Sequence, residues 1–553
     1  MTAAEPTDDE RVLSNSAVMA AGTVVSRLSG FVRSALLAAA LGIQLHGDLF
    51  NIANTIPNML YILLAGGVFN AVLVPQLVRA MRDDQDGGEA YTNRVVTLAA
   101  LFLAGVTALL VVAAPLVMDL ALSSKYDDPD RAAQRQSAID FARYCLPQVF
   151  FYGMFVLVGQ ILNARRRFGP MMWAPIANNV IAITVLVAYL IAFGEAEGAE
   201  VNGAFTSSQE LLLGLGSTLG IAAQLMILVP YLRAAGFTYR PRFDFRGTGL
   251  AHTLRLGVWT VLFVIVNQAA YVVVVNLASS GVVNGGAGTG YSVYSFAFLI
   301  VMVPHSVITV SLATAILPDL SARAARADLG GLARTLMSTL RSALVIVLPF
   351  AALLPLVAPG LAHVLLHGAA ADDVDLYVPT LALFGPGVLF FTVHYMLLRG
   401  FYALEQTRTV FWNQCWVAAT NVVVAVVLVR STSDEHTAPA LAVAYAASYF
   451  VGSVLSYVVL RRRLGSLDGA RLTRFLLRLA VATAISTGVA WAVALVLNEI
   501  SGDPEWPVAA LQALAITLVD VLVFLALARA MRLDEVTSVI RTVTRRVPAP
   551  GPR

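Results

Sequence analysis

The chain has 553 residues, of which 58% are hydrophobic and only 13% are charged. A soluble domain carries about 25% charged residues, so this composition excludes an ordinary globular protein and predicts a polytopic membrane protein. The formal net charge of +3 rests almost wholly on arginine, since Lys125 is the only lysine.

A membrane-spanning helix needs about 20 consecutive, mostly apolar residues. Fourteen stretches of the sequence meet this requirement, so we predict an all-α fold with about 14 transmembrane helices. Helices are expected because lipid offers the backbone no hydrogen-bonding partner. In chain order the predicted spans are 14–42, 50–81, 95–122, 139–163, 171–194, 208–234, 252–279, 289–320, 337–366, 376–404, 409–430, 437–460, 473–498 and 507–531.

The first span carries two arginines, Arg27 and Arg33, in the stretch TVVSRLSGFVRSALLAAALG. One charged side chain at the centre of a bilayer costs about 2.5–3.5 kcal/mol. The two arginines are six residues apart, which is about 9 Å along a helix and about 120° around it. They therefore do not share one stripe, although both can border a central cavity. The alternative is that one of them reaches an interface or a buried carbonyl.

Other polar residues lie in or at the ends of later spans. Asp48 begins the second span, either as a partner of the helix dipole or as part of an outer gate. Asn267 and Gln268 in the seventh span, His305 in the eighth and His394 in the tenth are either interhelical hydrogen bonders or cavity residues. For His305 the functional alternative is a titratable cavity cation, because an ordinary histidine has a pKa near 6.5.

Arginines concentrate in every second loop. With the N-terminus in the cytoplasm, the even-numbered loops hold 23 arginines, whereas the odd-numbered loops and their edges hold five basic residues. This positive-inside pattern predicts that both termini are cytoplasmic. Arg165 after the fourth span, and Arg399, Glu405 and Arg408 at the end of the tenth, are either topological anchors or contacts for a gate or a substrate headgroup.

The sequence contains a weak internal repeat. The patterns beginning at Pro57 and Pro304 are 247 residues apart (304 − 57), and those containing Ala164 and Ala403 are 239 apart (403 − 164). Each offset corresponds to six spans, so we predict two six-helix lobes related by a pseudo-twofold axis, plus a C-terminal helix pair. The predicted divisions are a cytoplasmic tail 1–13, an N-lobe 14–234, a cytoplasmic linker 235–251, a C-lobe 252–460, a helix pair 461–531 and a cytoplasmic tail 532–553.

Catalytic and cofactor motifs are absent from the sequence. It contains no nucleotide-binding loop, zinc-ligand spacing or nucleophile elbow. Cys145 and Cys415 both lie in apolar stretches, which excludes a disulfide framework. We therefore predict a protein that is not an enzyme, has no cofactor or bound metal and binds no nucleic acid. Energy for any transport would come from the membrane potential or from a gradient of H⁺ or Na⁺.

As a set, several motifs resemble the MurJ/MviN family of lipid II flippases, in the multidrug/oligosaccharidyl-lipid/polysaccharide exporter superfamily. These motifs are SRLSGFVR (26–33), Asp48, NTIPNML (54–60, including Asn58), ILNARRRFGPMMWAPIANN (161–179), ATAILPDLSARAA (313–325) and RGFYALEQTRT (399–409). The resemblance covers the first twelve predicted spans.

The resemblance implies a function in peptidoglycan biosynthesis and in cell shape. The expected substrate is lipid II, the undecaprenyl-diphosphate-linked precursor, moved from the inner to the outer leaflet of the bacterial cytoplasmic membrane by alternating access. It also implies that Arg27 and Arg33 are cavity cations, that Asp48 and Asn58 belong to the cavity set, and that the last two spans form a groove for the lipid tail. Arginine suits this substrate because its planar fork pairs with phosphate oxygens and stays charged.

The sequence departs from the family pattern at four places. Ser34 stands where many relatives have an aspartate, and Tyr61 and Ile62 stand where many have a basic pair. The span 296–303, FAFLIVMV, lacks the cation that relatives carry there. Gln406 stands where some relatives have a sodium-binding aspartate, which argues against a sodium site. The cavity is therefore expected to be less cationic than in the best-studied relatives.

Three functions are compatible with the sequence. The leading interpretation is a lipid II flippase. Within the same class, the alternatives are a flippase for another polyprenyl-linked glycan or a drug/cation antiporter. An alternative of a different class is a non-transporting scaffold that recruits cell-wall synthesis proteins, which the depleted charge of the eighth span suggests.

The charge alternation predicts a testable topology. In a cysteine-free background, single cysteines placed at 195–207 and 499–506 should react with an impermeant thiol reagent added outside the cell. Cysteines at 165–169 and 461–471 should react only after the membrane is permeabilised. Labelling of 165–169 from outside would show that the number of spans before it is wrong.

Overall fold

The computed structural model describes residues 8–63, 80, 86, 88–165, 167, 169–244, 250–285, 288–501, 505–533 and 535–536. Within these ranges, the description excludes the side chains of 8–21, 23, 24, 250–257 and 501. All regular secondary structure in the described ranges is helical, which confirms the predicted all-α class.

The helices of the described ranges include long spanning helices and shorter pieces. In chain order they are α1 Asp8–Leu41, α2 Leu45–Ile62, α3 Glu89–Val112, α4 Ala114–Ala121, α5 Ala132–Cys145, α6 Gln148–Ala164, α7 Gly169–Phe193, α8 Ser207–Ala234, α9 Leu250–Ser279, α10 Tyr291–Pro304, α11 Val310–Ala325, α12 Leu329–Leu365, α13 Val374–Ala403, α14 Thr407–Ser431, α15 Thr437–Leu464, α16 Gly469–Ser501 and α17 Trp506–Ala530. A π-helical turn, His305–Thr309, joins α10 to α11.

Twelve segments of the described chain are long and apolar enough to cross a membrane, and they match the third to the fourteenth predicted spans. The first predicted span lies within α1. The second begins as α2 and continues into 64–79, outside the described residues. Membrane crossing by these first two spans therefore stays a prediction.

Besides the eighth predicted span, in which the π-helical turn joins α10 to α11, two predicted spans are interrupted between helices. The third is divided at Ala113, where α3 ends and α4 begins. The fourth predicted span begins within α5 and continues as α6 after Pro147. Proline cannot donate a backbone hydrogen bond, and this explains the interruption at Pro147.

The chain packs as two compact units. The first contains residues 1–285 together with the short segment 368–370, and the second contains 286–367 and 371–553. The predicted lobes follow the sequence repeat, which this packing does not test, so the predicted domain boundaries stay a prediction.

Helix α9 belongs to the first unit because its end is bonded to the segment after α4. The Asn276 side-chain amide donates to the Leu122 carbonyl at 2.6 Å. The Ser279 hydroxyl accepts from the backbone N–H of Ser123 at 2.7 Å. Each such bond contributes about 0.5–1.5 kcal/mol, and the pair ties two distant parts of the sequence together.

Part of the predicted cytoplasmic linker is anchored to α3. The linker residues 235–244 run alongside its first turns, where the Arg240 backbone N–H donates to the Asn93 side chain at 2.8 Å. Arg94 and Asp244 form an ion pair at 2.6 Å. The hydrogen bond from Arg94 lowers the pKa of the Asp244 carboxyl. Both side chains are partly exposed, so the pair positions the linker more than it stabilises the fold.

Helices α12, α13 and α15 pack together at the centre of the contacts described for the second unit. Small residues let these helices approach closely: a Cβ added at Gly385 would lie 2.6 Å from the Ala351 carbonyl oxygen. The rings of Phe298, Phe384 and Tyr445 pack together, with centroids 5.5–5.8 Å apart. This aromatic core holds α10 against α13 and α15.

Two acidic residues near the end of the described chain have partners within the second unit. Asp520 of α17 is 1% exposed and accepts from the Thr487 hydroxyl of α16 at 3.4 Å. Beyond α17, Glu535 pairs with Arg341 of α12 at 2.8 Å, and Arg341 is 6% exposed. A charge buried to this degree needs a partner, so the second pair fastens the segment after α17 to α12.

Removing the carboxylate of Glu535 should destabilise the protein. Glu535→Ala leaves the buried guanidinium of Arg341 without its partner, at a cost of about 1–3 kcal/mol. Glu535→Gln should lose less, because an acceptor oxygen remains. The measurement is the apparent unfolding temperature of the detergent-solubilised chain, with Glu499→Ala, an exposed glutamate of α16, as control. Equal effects of Glu535→Ala and Glu499→Ala would show that the pair contributes nothing.

Candidate functional site

The orientation of Arg27 is set by the packing of α1 against α7. The Asn179 side-chain amide donates both to the Ser26 carbonyl and to the Ser29 hydroxyl, each at 2.9 Å. Ser26 and Ser29 therefore face α7. Arg27, which follows Ser26 by 100° around the helix, is exposed. The role of Asn179 as a clamp was not predicted from the sequence, because it depends on a partner about 150 residues away.

Arg33 lies in a different environment from Arg27. Its side chain is half-buried and lies within electrostatic range of the Tyr152 hydroxyl of α6. The Tyr152 ring packs on that of Tyr61, with centroids 4.7 Å apart. Tyr61 is one of the residues that replace a basic pair in the family pattern. A tyrosine pair therefore occupies this part of the first unit, near Arg33.

The predicted polar residues of α2 are not equally accessible. Asp48 is fully buried in the first turn of the helix, the position of a partner for the helix dipole. Asn58, near the other end of α2, is exposed. Between them, Asn54 accepts a hydrogen bond from the Gln148 amide of α6 at 2.9 Å, a contact that the sequence did not indicate. Of the two predicted residues, only Asn58 has an accessible side chain.

Three other predicted residues belong to the first unit. Arg165 donates to the Ala235 carbonyl at 2.7 Å and lies 5.4 Å from the centre of the Phe237 ring. These contacts hold the start of the linker, and the predicted role of Arg165 at a gate or a substrate headgroup stays a prediction. Asn267 and Gln268 are both half-buried in α9.

His305 lies at the π-helical turn that follows Pro304. In this turn the Val310 N–H bonds to the His305 carbonyl, five residues earlier. The imidazole is 4% exposed, and its Nδ1 lies 2.9 Å from the Thr392 hydroxyl of α13. Its ring also contacts Phe391 and Tyr395, at centroid distances of 4.5 and 5.0 Å. These are the contacts of a packed interhelical hydrogen bonder, although π-helical turns are frequent at functional sites.

His394 links three helices of the second unit. It is 2% exposed, and its Nδ1 lies 3.1 Å from the Ser456 hydroxyl of α15. The same hydroxyl accepts from the Asn413 amide of α14 at 3.3 Å. His394 thus has the contacts expected of an interhelical hydrogen bonder, and its predicted place in the cavity set stays a prediction.

Arg399 is stacked between two tyrosines of its own helix. Its guanidinium carbon lies 4.1 Å from the centre of the Tyr395 ring and 5.5 Å from that of Tyr402. The structure therefore brings His305 and Arg399 to the same tyrosine, Tyr395, although 94 residues separate them in the sequence (399 − 305). Glu405, at φ +56°, lies in the exposed turn after α13, and Arg408 begins the next helix with an exposed side chain.

Comparison with solved structures describes the fold. A lipid II flippase MurJ in an inward closed conformation aligns with a TM-score of 0.73 and 17% identity, covering 94% of this chain and 99% of that one. An inward-facing multidrug resistance transporter of the MATE family aligns with a TM-score of 0.62 and 15% identity, covering 80% of this chain and 96% of that one. At such identities the likeness shows a shared fold alone.

Sequence comparison is more specific. The probable lipid II flippase MurJ of Rhizobium tropici is 25% identical over 472 residues, 84% of each chain. That of Vibrio cholerae is 26% identical over 501 residues, 88% of this chain and 89% of the relative. The family model described as lipid II flippase MurJ matches residues 37–503. Since this match covers most of the sequence, the protein belongs to the lipid II flippase MurJ family.

Proposed function

We propose that this protein moves lipid II from the inner to the outer leaflet of the bacterial cytoplasmic membrane by alternating access, with both termini in the cytoplasm. The observation that carries the proposal is the family match over residues 37–503. The shared fold with solved transporters supports a transport mechanism. The substrate is the amphiphilic precursor of peptidoglycan, and cell-wall synthesis proteins are candidate partners.

The charge on the substrate explains why an arginine in the first helix is useful. A diphosphate loses its hydration when it enters a low-dielectric membrane, and a fixed cation offsets part of that cost. The Arg27 side chain is exposed, so packing between helices does not explain why a charged residue stands at this position. Its fork can therefore pair with phosphate oxygens, while the clamp from Asn179 holds α1 in place behind it.

The resemblance to relatives also implies a place for the lipid tail. An apolar cavity of about 360 Å³ lies among α12, α13, α15 and the start of α16. Leu344, Phe390 and Leu476 are among the side chains that line it. An isoprenoid chain is the chemical match for such a wall, which supports a tail groove that includes the first of the last two helices.

The candidate energy sources for transport are the membrane potential and a gradient of H⁺ or Na⁺. Gln406 replaces the aspartate that some relatives use for sodium, which disfavours sodium coupling through this position. The antiporter alternative draws on the MATE fold alone. The scaffold alternative draws on the missing cation at 296–303.

One experiment separates these functions. The protein is expressed in a strain depleted of its own lipid II flippase, and lipid II in the outer leaflet is labelled. Growth together with outer-leaflet labelling would support the flippase. Growth without labelling would favour the scaffold, and failure of both at normal expression would contradict the proposal.

Arg27→Ala should abolish complementation while the protein still inserts in the membrane, because the exposed cation for the diphosphate is lost. Arg27→Lys should be partly active at best, since a point charge replaces a bidentate fork. Arg462→Ala, which removes an exposed arginine at the end of α15, is the matched control and should remain active. Full activity of Arg27→Ala at normal expression would reject Arg27 as a diphosphate ligand.

His305→Gln should retain most flipping activity between pH 6 and 8. The imidazole is buried and bonded to the neutral Thr392 hydroxyl, and a glutamine amide can replace that bond. The measurement is leaflet-resolved lipid II labelling across this pH range. Loss of most activity in His305→Gln, with pH-independent binding and slow release in His305→Arg, would instead establish His305 as a titratable cavity cation.

A further inference from the structure

One stripe of α13 carries a cation between two aromatic rings. Tyr395, Arg399 and Tyr402 occur at positions i, i+4 and i+7, which places them on the same face of the helix. The guanidinium carbon of Arg399 is 4.1 Å from the centre of one ring and 5.5 Å from that of the other. All three side chains are half-buried, so the stripe is partly accessible.

The charge of Arg399 is not matched by an acidic side chain in the part of the chain that the structure describes. No carboxylate among the described residues lies within ion-pair distance of it, and its buried Nε has no hydrogen-bond partner there. The Nε atoms of Arg165 and Arg341 also have no hydrogen-bond partner among the described residues, but each of these arginines has another polar partner. Arg165 also lies against an aromatic ring but donates to the Ala235 carbonyl, and Arg341 pairs with Glu535. Stacking on tyrosine offsets only part of the cost of burying a guanidinium, so Arg399 is left with unused donors.

The Arg399 guanidinium lies over the Tyr395 ring. The Tyr395 ring below it is contacted edge-on by His305, whose own position is set by the bond to Thr392. A guanidinium fixed against a ring directs the remaining N–H groups along its edge. A planar edge of this kind is suited to two oxygens of one phosphate group.

We propose that Tyr395, Arg399 and Tyr402 form an anion-binding site for the diphosphate of the transported lipid. This inference rests on the proposed flippase function and deepens it. It supplies in α13 a cation that the span 296–303 lacks. The same chemistry would fit an anionic phospholipid headgroup, so the experiment must distinguish the two.

The test uses the full chain in detergent and farnesyl diphosphate as the probe. Arg399→Gln should weaken its binding by about tenfold or more, the loss expected for a charge-assisted hydrogen bond to phosphate. Arg399→Lys should bind more weakly than the wild type because the planar fork is lost. Tyr395→Leu should also weaken binding, whereas Tyr395→Phe, which keeps the ring, should bind nearly as the wild type does.

Two controls separate anion recognition from a structural effect. Farnesol, which has the same chain without phosphate, should bind Arg399→Gln and the wild type equally. Arg462→Gln, which changes an exposed arginine of α15, should leave farnesyl diphosphate binding unchanged. The apparent unfolding temperature of each variant is measured alongside, and Arg399→Lys, which keeps the charge, serves if Arg399→Gln is unstable.

Three results would overturn the proposal. They are unchanged farnesyl diphosphate binding in both Arg399 variants, an equal loss of farnesol binding, and displacement of the probe by phosphatidylglycerol at equal mole fraction in the micelle. Failure of the flippase function would be seen differently, as absence of outer-leaflet lipid II labelling with the wild-type chain. Wild-type flipping with unchanged probe binding in the Arg399 variants would refute this site and leave the function standing.

Discussion

The absence of water in the hydrocarbon layer is the constraint on which this structure depends. Every backbone polar group must be satisfied within its own helix, and every polar side chain needs a partner or a function. Several described residues meet the demand through partners: Asp520 through Thr487, His394 through Ser456, and Arg341 through Glu535. Among the described residues, Arg27 and Arg399 have no acidic partner, and this makes them candidate functional cations of the spans.

The spans were predictable because the same constraint requires long runs of apolar residues, which are easily recognised in the sequence. About 20 apolar residues in a row are needed to cross the membrane, and the described segments match the predicted spans from the third onward. The breaks at Ala113 and Pro147 and the π-helical turn at His305 were not predicted. Hydropathy averages over a window, so a local change of helical geometry leaves the average unchanged.

The candidate site residues stay predictions, and their contacts could be read from the sequence only in part. His305 and Arg399 both stood out as polar residues in or at the end of apolar spans, but the partner of His305, Thr392, is 87 residues away. No single sequence shows such a pairing. The stripe around Arg399 is different, because tyrosines at i−4 and i+3 can be read from the helical period alone. The stretch FTVHYMLLRGFY contains this spacing, and the spacing predicts that Arg399 lies beside the two tyrosine rings.

A missing cation in a motif does not by itself remove the chemistry that the motif serves. Transport of a diphosphate requires a positive charge close to the bound phosphate groups. Helices that pack together can supply this charge from different sequence positions. The span 296–303 is uncharged, yet the π-helical turn that follows it puts His305 against Tyr395, and Arg399 lies over the same ring. Arg399 thus places a cation on α13 over a tyrosine ring, while the histidine that contacts the same ring is buried and bonded to a hydroxyl. At the proposed site the anion pairs with the arginine fork, so its binding does not require His305 as a second cation.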